Sequence, residues 1–220
     1  SDSKKLTSHI LDYNALLPWK HTLRFFSGLS FINAPFHVPK IAPKFTTQGY
    51  NVHASIRYEM PLKGIYRLLH QVQTGFDFKR TNNNILFTEQ PRTITFTKSS
   101  VNLTQLSTIY SLGYNTTLTQ TAFSLEGYFS PGSWLPSQSK ADYNNLRIGS
   151  QPLYAYARSS LKTSLRLKQG TLVGKLRGQL ATTNLLPSET FGLGGMRTVR
   201  GYKERIINGD NAFLLNCEYH

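Results

Sequence analysis

The sequence predicts an all-β chain, the wall of an antiparallel transmembrane β-barrel with about eight or nine strands, on three observations. Apolar and polar residues alternate with a period of two through most of the 220 residues, the repeat that sends successive side chains to opposite faces of a sheet. The alternating segments reach the roughly 9–11 residues that a tilted strand needs to cross a bilayer. Tight turns and long loops follow one another, the rhythm of a barrel with short periplasmic and long extracellular connections.

Strands are predicted at 22–32, 49–62, 65–81, 100–115, 119–130, 154–168, 171–184 and 211–220, with a weaker one at 5–13. In the second, Val52, Ala54, Ile56, Tyr58 and Met60 alternate with Asn51, His53, Ser55, Arg57 and Glu59. Past a tight turn at Lys63-Gly64, His70, Val72, Thr74, Phe76 and Phe78 oppose Gln71, Gln73, Gly75, Asp77 and Lys79. Further on, Leu161, Leu165 and Leu167 oppose Lys162, Ser164, Arg166 and Lys168; after a turn at Gln169-Gly170, Leu172, Leu176 and Leu180 oppose Lys175, Arg177 and Gln179. The polar parity assigns Arg57, Arg166, Lys168, Lys175 and Arg177 to the lumen. Long loops are expected at 32–48, 82–99, 131–153 and 185–210, and no helix of useful length.

A soluble sandwich also alternates. Against it, long basic side chains recur on the polar face of strand after strand. Phe25, Phe31, Tyr58, Phe78, Tyr114 and Phe129 fall near strand ends, where an interfacial aromatic girdle sits.

The chain is basic, with 25 Lys+Arg against 11 Asp+Glu, a net charge of +14 and a pI near 10.0. These charges are dispersed rather than gathered in a run or recognition helix, which argues against nucleic acid as partner. The single Cys217 and the six histidines show no metal-ligand spacing, and no phosphate loop or nucleophile elbow is present, so neither a cofactor nor an enzyme activity is indicated. No run approaches the ~18 apolar residues of a membrane helix. Ser1–Lys5 has no signal-peptide character, and an outer-membrane protein would carry one upstream, so a partial chain is expected.

The most specific stretch runs from Leu185 to Asp210. It holds Phe191, Gly192, Leu193-Gly194-Gly195, Val199-Arg200-Gly201-Tyr202, Glu204 and Gly209-Asp210. Gly192, Gly194, Gly195 and Gly201 allow positive φ and close approach to a wall, Arg200 offers a planar fork of donors for a carboxylate, and Tyr202 a rigid ring with a polar tip. This pattern resembles the re-entrant loop of the two-partner-secretion outer-membrane transporters, the haemolysin secretion/activation protein family, which is related to the barrel-assembly insertases. Weaker echoes are Gly75 to Asn83 and Gly127 to Gly132.

The resemblance implies a partial sixteen-stranded barrel domain over 1–220, in the outer membrane of a Gram-negative bacterium, lacking the POTRA domains that precede such barrels. It implies Val199, Arg200, Gly201 and Tyr202 as the loop tip, Gly192, Gly194 and Gly195 as its hinges, and a carboxylate partner for Arg200 beyond His220. Glu59, Asp77, Glu126 and Glu218 remain as wall carboxylates, any of which could be a secondary contact, and the sequence does not choose among them. The implied activity is export of an adhesin- or haemolysin-like protein, unfolded in transit and without nucleotide, through a barrel that is monomeric at full length and surrounded by outer-membrane lipid. A barrel-assembly insertase, a porin and a soluble β-binding domain are the alternatives. Taken alone, the stretch is expected to leave open edges and to aggregate without detergent, which size-exclusion chromatography checks.

Overall fold

A computed structural model describes residues 6–36, 44–89, 92–196 and 198–220. Nine strands form one antiparallel sheet: β1 (Leu6–Leu16), β2 (Thr22–Phe36), β3 (Lys44–Pro61), β4 (Leu68–Glu89), β5 (Arg92–Asn115), β6 (Thr119–Pro131), β7 (Leu153–Leu167), β8 (Gly170–Ala181) and β11 (Ala212–Tyr219). Each pairs with its sequence neighbour except at β8, which pairs with β11 across a loop carrying the two-stranded hairpin β9 (Phe191–Leu193) and β10 (Ile207–Gly209). Among the described residues β1 and β11 are the two edges of the sheet.

The cross-strand register separates the faces as the alternation requires. One row runs Arg57, Gly75, Ser107, Tyr128, Tyr156 and Ala181, and a neighbouring one Lys162, Lys175 and Asn216. Arg57, Arg166, Lys175 and Arg177 therefore share one face. The other carries Phe31, Leu180, Phe213 and Leu215, all exposed, Leu180 at 71%. Burial is inverted relative to a soluble domain: Asp77, Gln105 and Gln179, on the polar face, are at most 1% exposed. An apolar outside around a hydrogen-bonded inside is what a wall surrounded by hydrocarbon requires.

Several boundaries differ from expectation. The loops expected at 32–48 and 82–99 are largely strand, with β2 and β3 paired out to Phe36 and Phe45 and β4 and β5 out to Glu89 and Arg92. Asn82-Asn83-Asn84 reads as a turn signal, yet it pairs with Ser100, Ser99 and Lys98, because the Thr, Ile and Phe content on either side favours the pleated state. The remainders of those loops, 37–43 and 90–91, lie outside the described residues, as does part of the expected strand at 5–13. The turn at Lys63-Gly64 spans 62–67, and Lys168 lies in the turn after β7 rather than on the wall, a correction to its lumen placement. Arg166 already ends the polar row opposite Thr171. The connections 17–21, 62–67, 116–118 and 168–169 are gathered at one end of the sheet.

A helix was not expected, but α1 (Lys140–Leu146) stands in the loop between β6 and β7. Its start is set by a capping box, in which the Ser139 hydroxyl accepts from the Asp142 amide while the Asp142 carboxylate accepts from the Ser139 amide. At seven residues it is too short to show an apolar stripe; tertiary contact holds it, through Tyr143, which is fully buried.

Candidate functional site

The two long connections, 132–152 and 182–211, meet over the polar face near the end opposite the short turns. Val101 and Leu103 of β5, Tyr154 and Tyr156 of β7, Tyr143 of α1 and Leu185 and Leu186 form a small apolar cluster there. The α1 loop is fixed to β5 by the Asn102 amide donating to the Ser137 carbonyl at 3.0 Å and by the Tyr143 hydroxyl donating to the Asn102 carbonyl at 3.1 Å.

From this loop Arg147 reaches both feet of the 185–210 segment. Its guanidinium donates to the two carboxylate oxygens of Asp210 at 2.5 and 2.8 Å and to the Leu185 carbonyl at 2.7 Å. Asp210 in turn accepts from the Leu185 amide at 2.9 Å. Partial burial pushes the Asp210 carboxyl up, but the Arg147 fork and the Leu185 amide outweigh it and hold it below the usual carboxylate range.

Below the feet, Glu189 is buried to 1% exposure. It accepts from Lys79 Nζ at 2.7 Å and from the Tyr156 hydroxyl at 2.7 Å. Its backbone carbonyl accepts from Arg158 at 2.7 Å and Gln179 at 3.2 Å. Burial raises the Glu189 carboxyl, and Lys79 first, then Tyr156 and Ser188, bring it below its ordinary value, so it is ionised at neutral pH. Next to it Gln105 donates to Asp77, which Arg57 holds at 2.6 Å, and accepts from Tyr154.

The segment then descends along β8 and β11. Phe191 lies under the Arg177 guanidinium, 5.0 Å from carbon to ring centroid. Gly194 and Gly195 adopt φ of +105° and +91°, and a Cβ on Gly195 would collide with the Glu204 carboxylate. Gly192 does not match its expected role: it is extended within β9, and the room it leaves is taken by the Arg205 side chain. Lower still, Asn216 donates to the Thr198 carbonyl at 3.0 Å. Arg200 donates to Glu218 at 3.0 Å, near the short-turn end.

The partner expected for Arg200 beyond His220 falls outside these 220 residues. Within them Arg200 meets Glu218, one of the four wall carboxylates named as contacts, which also accepts from Lys175 at 3.3 Å and faces His220. Val199 is half-buried beside it; Gly201, at φ +87°, and Tyr202 are exposed. Of the polar-face cations, Lys175 and Arg177 meet the segment or its partner, Arg57 is engaged by Asp77, and Arg166 lies apart at the strand end. Arg147, Arg158, Gln179 and Glu189, missed as site residues, make most of the contacts. Glu189 and Asp210 stood inside the singled-out run, whereas nothing local marks Arg147.

Open antiparallel strands, apolar outside and polar within, with a long connection laid down the polar face, define the wall of an outer-membrane β-barrel. The model of the haemolysin secretion/activation protein family ShlB/FhaC/HecB matches residues 69–218. The chain belongs to this family, whose members are outer-membrane transporters of Gram-negative bacteria. Among solved structures it is similar to CdiB from Escherichia coli, with a TM-score of 0.78 at 14% identity over 97% of this chain and 38% of that one; the chain spans well under half of that barrel protein's length. No curated protein sequence matches the chain.

Proposed function

We propose that the protein exports a secreted partner, an adhesin- or haemolysin-like polypeptide, through the barrel lumen in an unfolded state and without nucleotide, and that residues 185–210 obstruct and gate that lumen. The observation that supports this is the course of the segment: strapped at its feet by Arg147 and Glu189, it runs along the polar face to Arg200 and Glu218. A connection that bridges two strands by a tight turn would suffice for the wall, so its length serves the lumen. Wall cations Arg57, Arg166, Lys175 and Arg177 bias that lumen towards acidic and polar chains. The protein acts as a conduit, not as an enzyme.

The test replaces Arg200 by alanine in the full-length protein and compares release of the partner at the cell surface with heat-modifiable migration of the folded barrel. Arg200 is 66% exposed on its side chain, so its ion pair adds little to stability, and the folded band should be unchanged. Release should fall several-fold. Wild-type release with the folded band intact would reject a functional tip.

A further inference from the structure

The short-turn end of the sheet combines charge, aromatic rings and backbone strain in a way that transport does not use. Its four turns carry Lys20 and His21, Lys63 and Arg67, and Lys168, and no Asp or Glu in residues 17–21, 62–67, 116–118 and 168–169. Two of the turns hold a bulky non-glycine residue in the left-handed region, Lys20 at φ +66° and Tyr66 at φ +56°. Such residues resist that conformation, and glycine or asparagine would fill the turns with less strain. Turn 17–21 is closed by the Lys20 amide on the Leu17 carbonyl at 2.9 Å and the Leu17 amide on the His21 carbonyl at 2.8 Å.

Trp19 and His21 meet a ring of the apolar face. Trp19, 57% exposed, donates from Nε1 to the Tyr58 hydroxyl at 2.9 Å, and His21 Nδ1 lies 2.6 Å from the same oxygen. Tyr58 shares the apolar face with Ile56. In the next turn Tyr66 is 87% exposed with the Arg67 guanidinium 5.3 Å from its ring centroid, and His70 ties the turn to β4 through the Lys63 carbonyl at 3.1 Å. The acidic residue close by, Glu59, is on the other face, held by Arg24 and Gln73.

The geometry points to a docking site for anionic phospholipid headgroups of the periplasmic leaflet on turns 17–21 and 62–67. Trp19 and Tyr66 sit at headgroup depth, and Lys20, Lys63 and Arg67 pair with the phosphates. Short turns face the periplasm in barrels of this class, amphipathic rings settle at the membrane interface, and cations without neighbouring acids attract an anionic surface.

The full-length protein, reconstituted in mixed phosphatidylcholine and phosphatidylglycerol bilayer discs, is released into the gas phase, and the phospholipids that remain bound are counted by mass spectrometry. The wild type should retain phosphatidylglycerol above its bulk share, and the excess should shrink when salt is raised. Lys20→Gln should cut that preference by about five-fold, the factor corresponding to one surface cation. The triple variant Lys20→Gln/Lys63→Gln/Arg67→Gln should abolish it, with heat-modifiable folding unchanged. Lys140→Gln, at the opposite end, should leave it as it was. An unchanged preference in the folded triple variant, or none in the wild type, overturns the proposal and leaves these turns to contacts with protein.

Discussion

Glu189→Ala detaches the 185–210 segment from the wall. The substitution leaves the Lys79 ammonium facing an apolar cluster, strips the Tyr156 hydroxyl of its acceptor and opens a cavity beside Gln105. Breaking a buried ion pair from one side costs about 3–5 kcal/mol. Glu189→Gln, which keeps shape and one acceptor, should lose about half as much. Limited proteolysis of the folded full-length protein reads the outcome directly: cleavage within 185–210 should rise strongly for Glu189→Ala and modestly for Glu189→Gln, while the strands stay protected. Proteolysis at the wild-type rate in the alanine variant would mean that Glu189 does not anchor the segment.

Acid should imitate the variant. The Glu189 carboxyl is held below its ordinary value in the folded state, so its contribution is fully present above the ordinary glutamate pKa of about 4.3 and is lost as pH falls through the lower folded value. Protease protection of the segment should thus persist through mildly acidic pH and fail only below it, and Glu189→Gln should flatten that dependence.

Arg147→Ala loosens the feet of the same segment by a separate route. Arg147 is 31% and Asp210 15% exposed on their side chains, and the contact is a two-bond fork reinforced by the Leu185 carbonyl. We expect a loss of about 1–3 kcal/mol in local closing, seen as faster hydrogen exchange at the Leu185 amide, which Asp210 protects. Arg147→Lys should recover little, because an ammonium cannot span both oxygens of Asp210. A double-mutant cycle with Asp210→Asn isolates the pair. Exchange at Leu185 that ignores Arg147→Ala would show that the fork does not hold the feet.

The wall was legible in the sequence because its period is strict: Ile56 against Arg57 or Leu176 against Lys175 places each residue on a face before any pairing is known. Turn chemistry was less decisive. Asn82 to Asn84 resembles a break until β5 is alongside, and α1 is too short for a helical stripe, its burial decided by Tyr143 meeting β5. Within the site, the glycine-arginine tip stood out locally, and Glu218, which Arg200 meets, was among four wall carboxylates named as secondary contacts. The anchors did not stand out, since Lys79 and Glu189 are 110 positions apart and Arg147 and Asp210 are 63 apart; no local pattern carries partners brought together by the pairing of a nine-strand sheet.

The unequal attachment of the 185–210 segment makes it mechanically a cantilever. Its root is held by multiply bonded contacts, buried at Glu189 and partly buried at Asp210, and its far end by the exposed pair of Arg200 and Glu218 beside the Asn216 bond to the Thr198 carbonyl. Mobile ions screen exposed charges and hardly reach buried ones, with a screening length that shrinks from about 10 Å at 0.1 M to about 3 Å at 1 M. Ionic strength therefore acts on the far end and spares the root. On the function proposed above, a transported polypeptide with a carboxylate of its own would have the same leverage, competing with Glu218 for Arg200 without having to break the mounting.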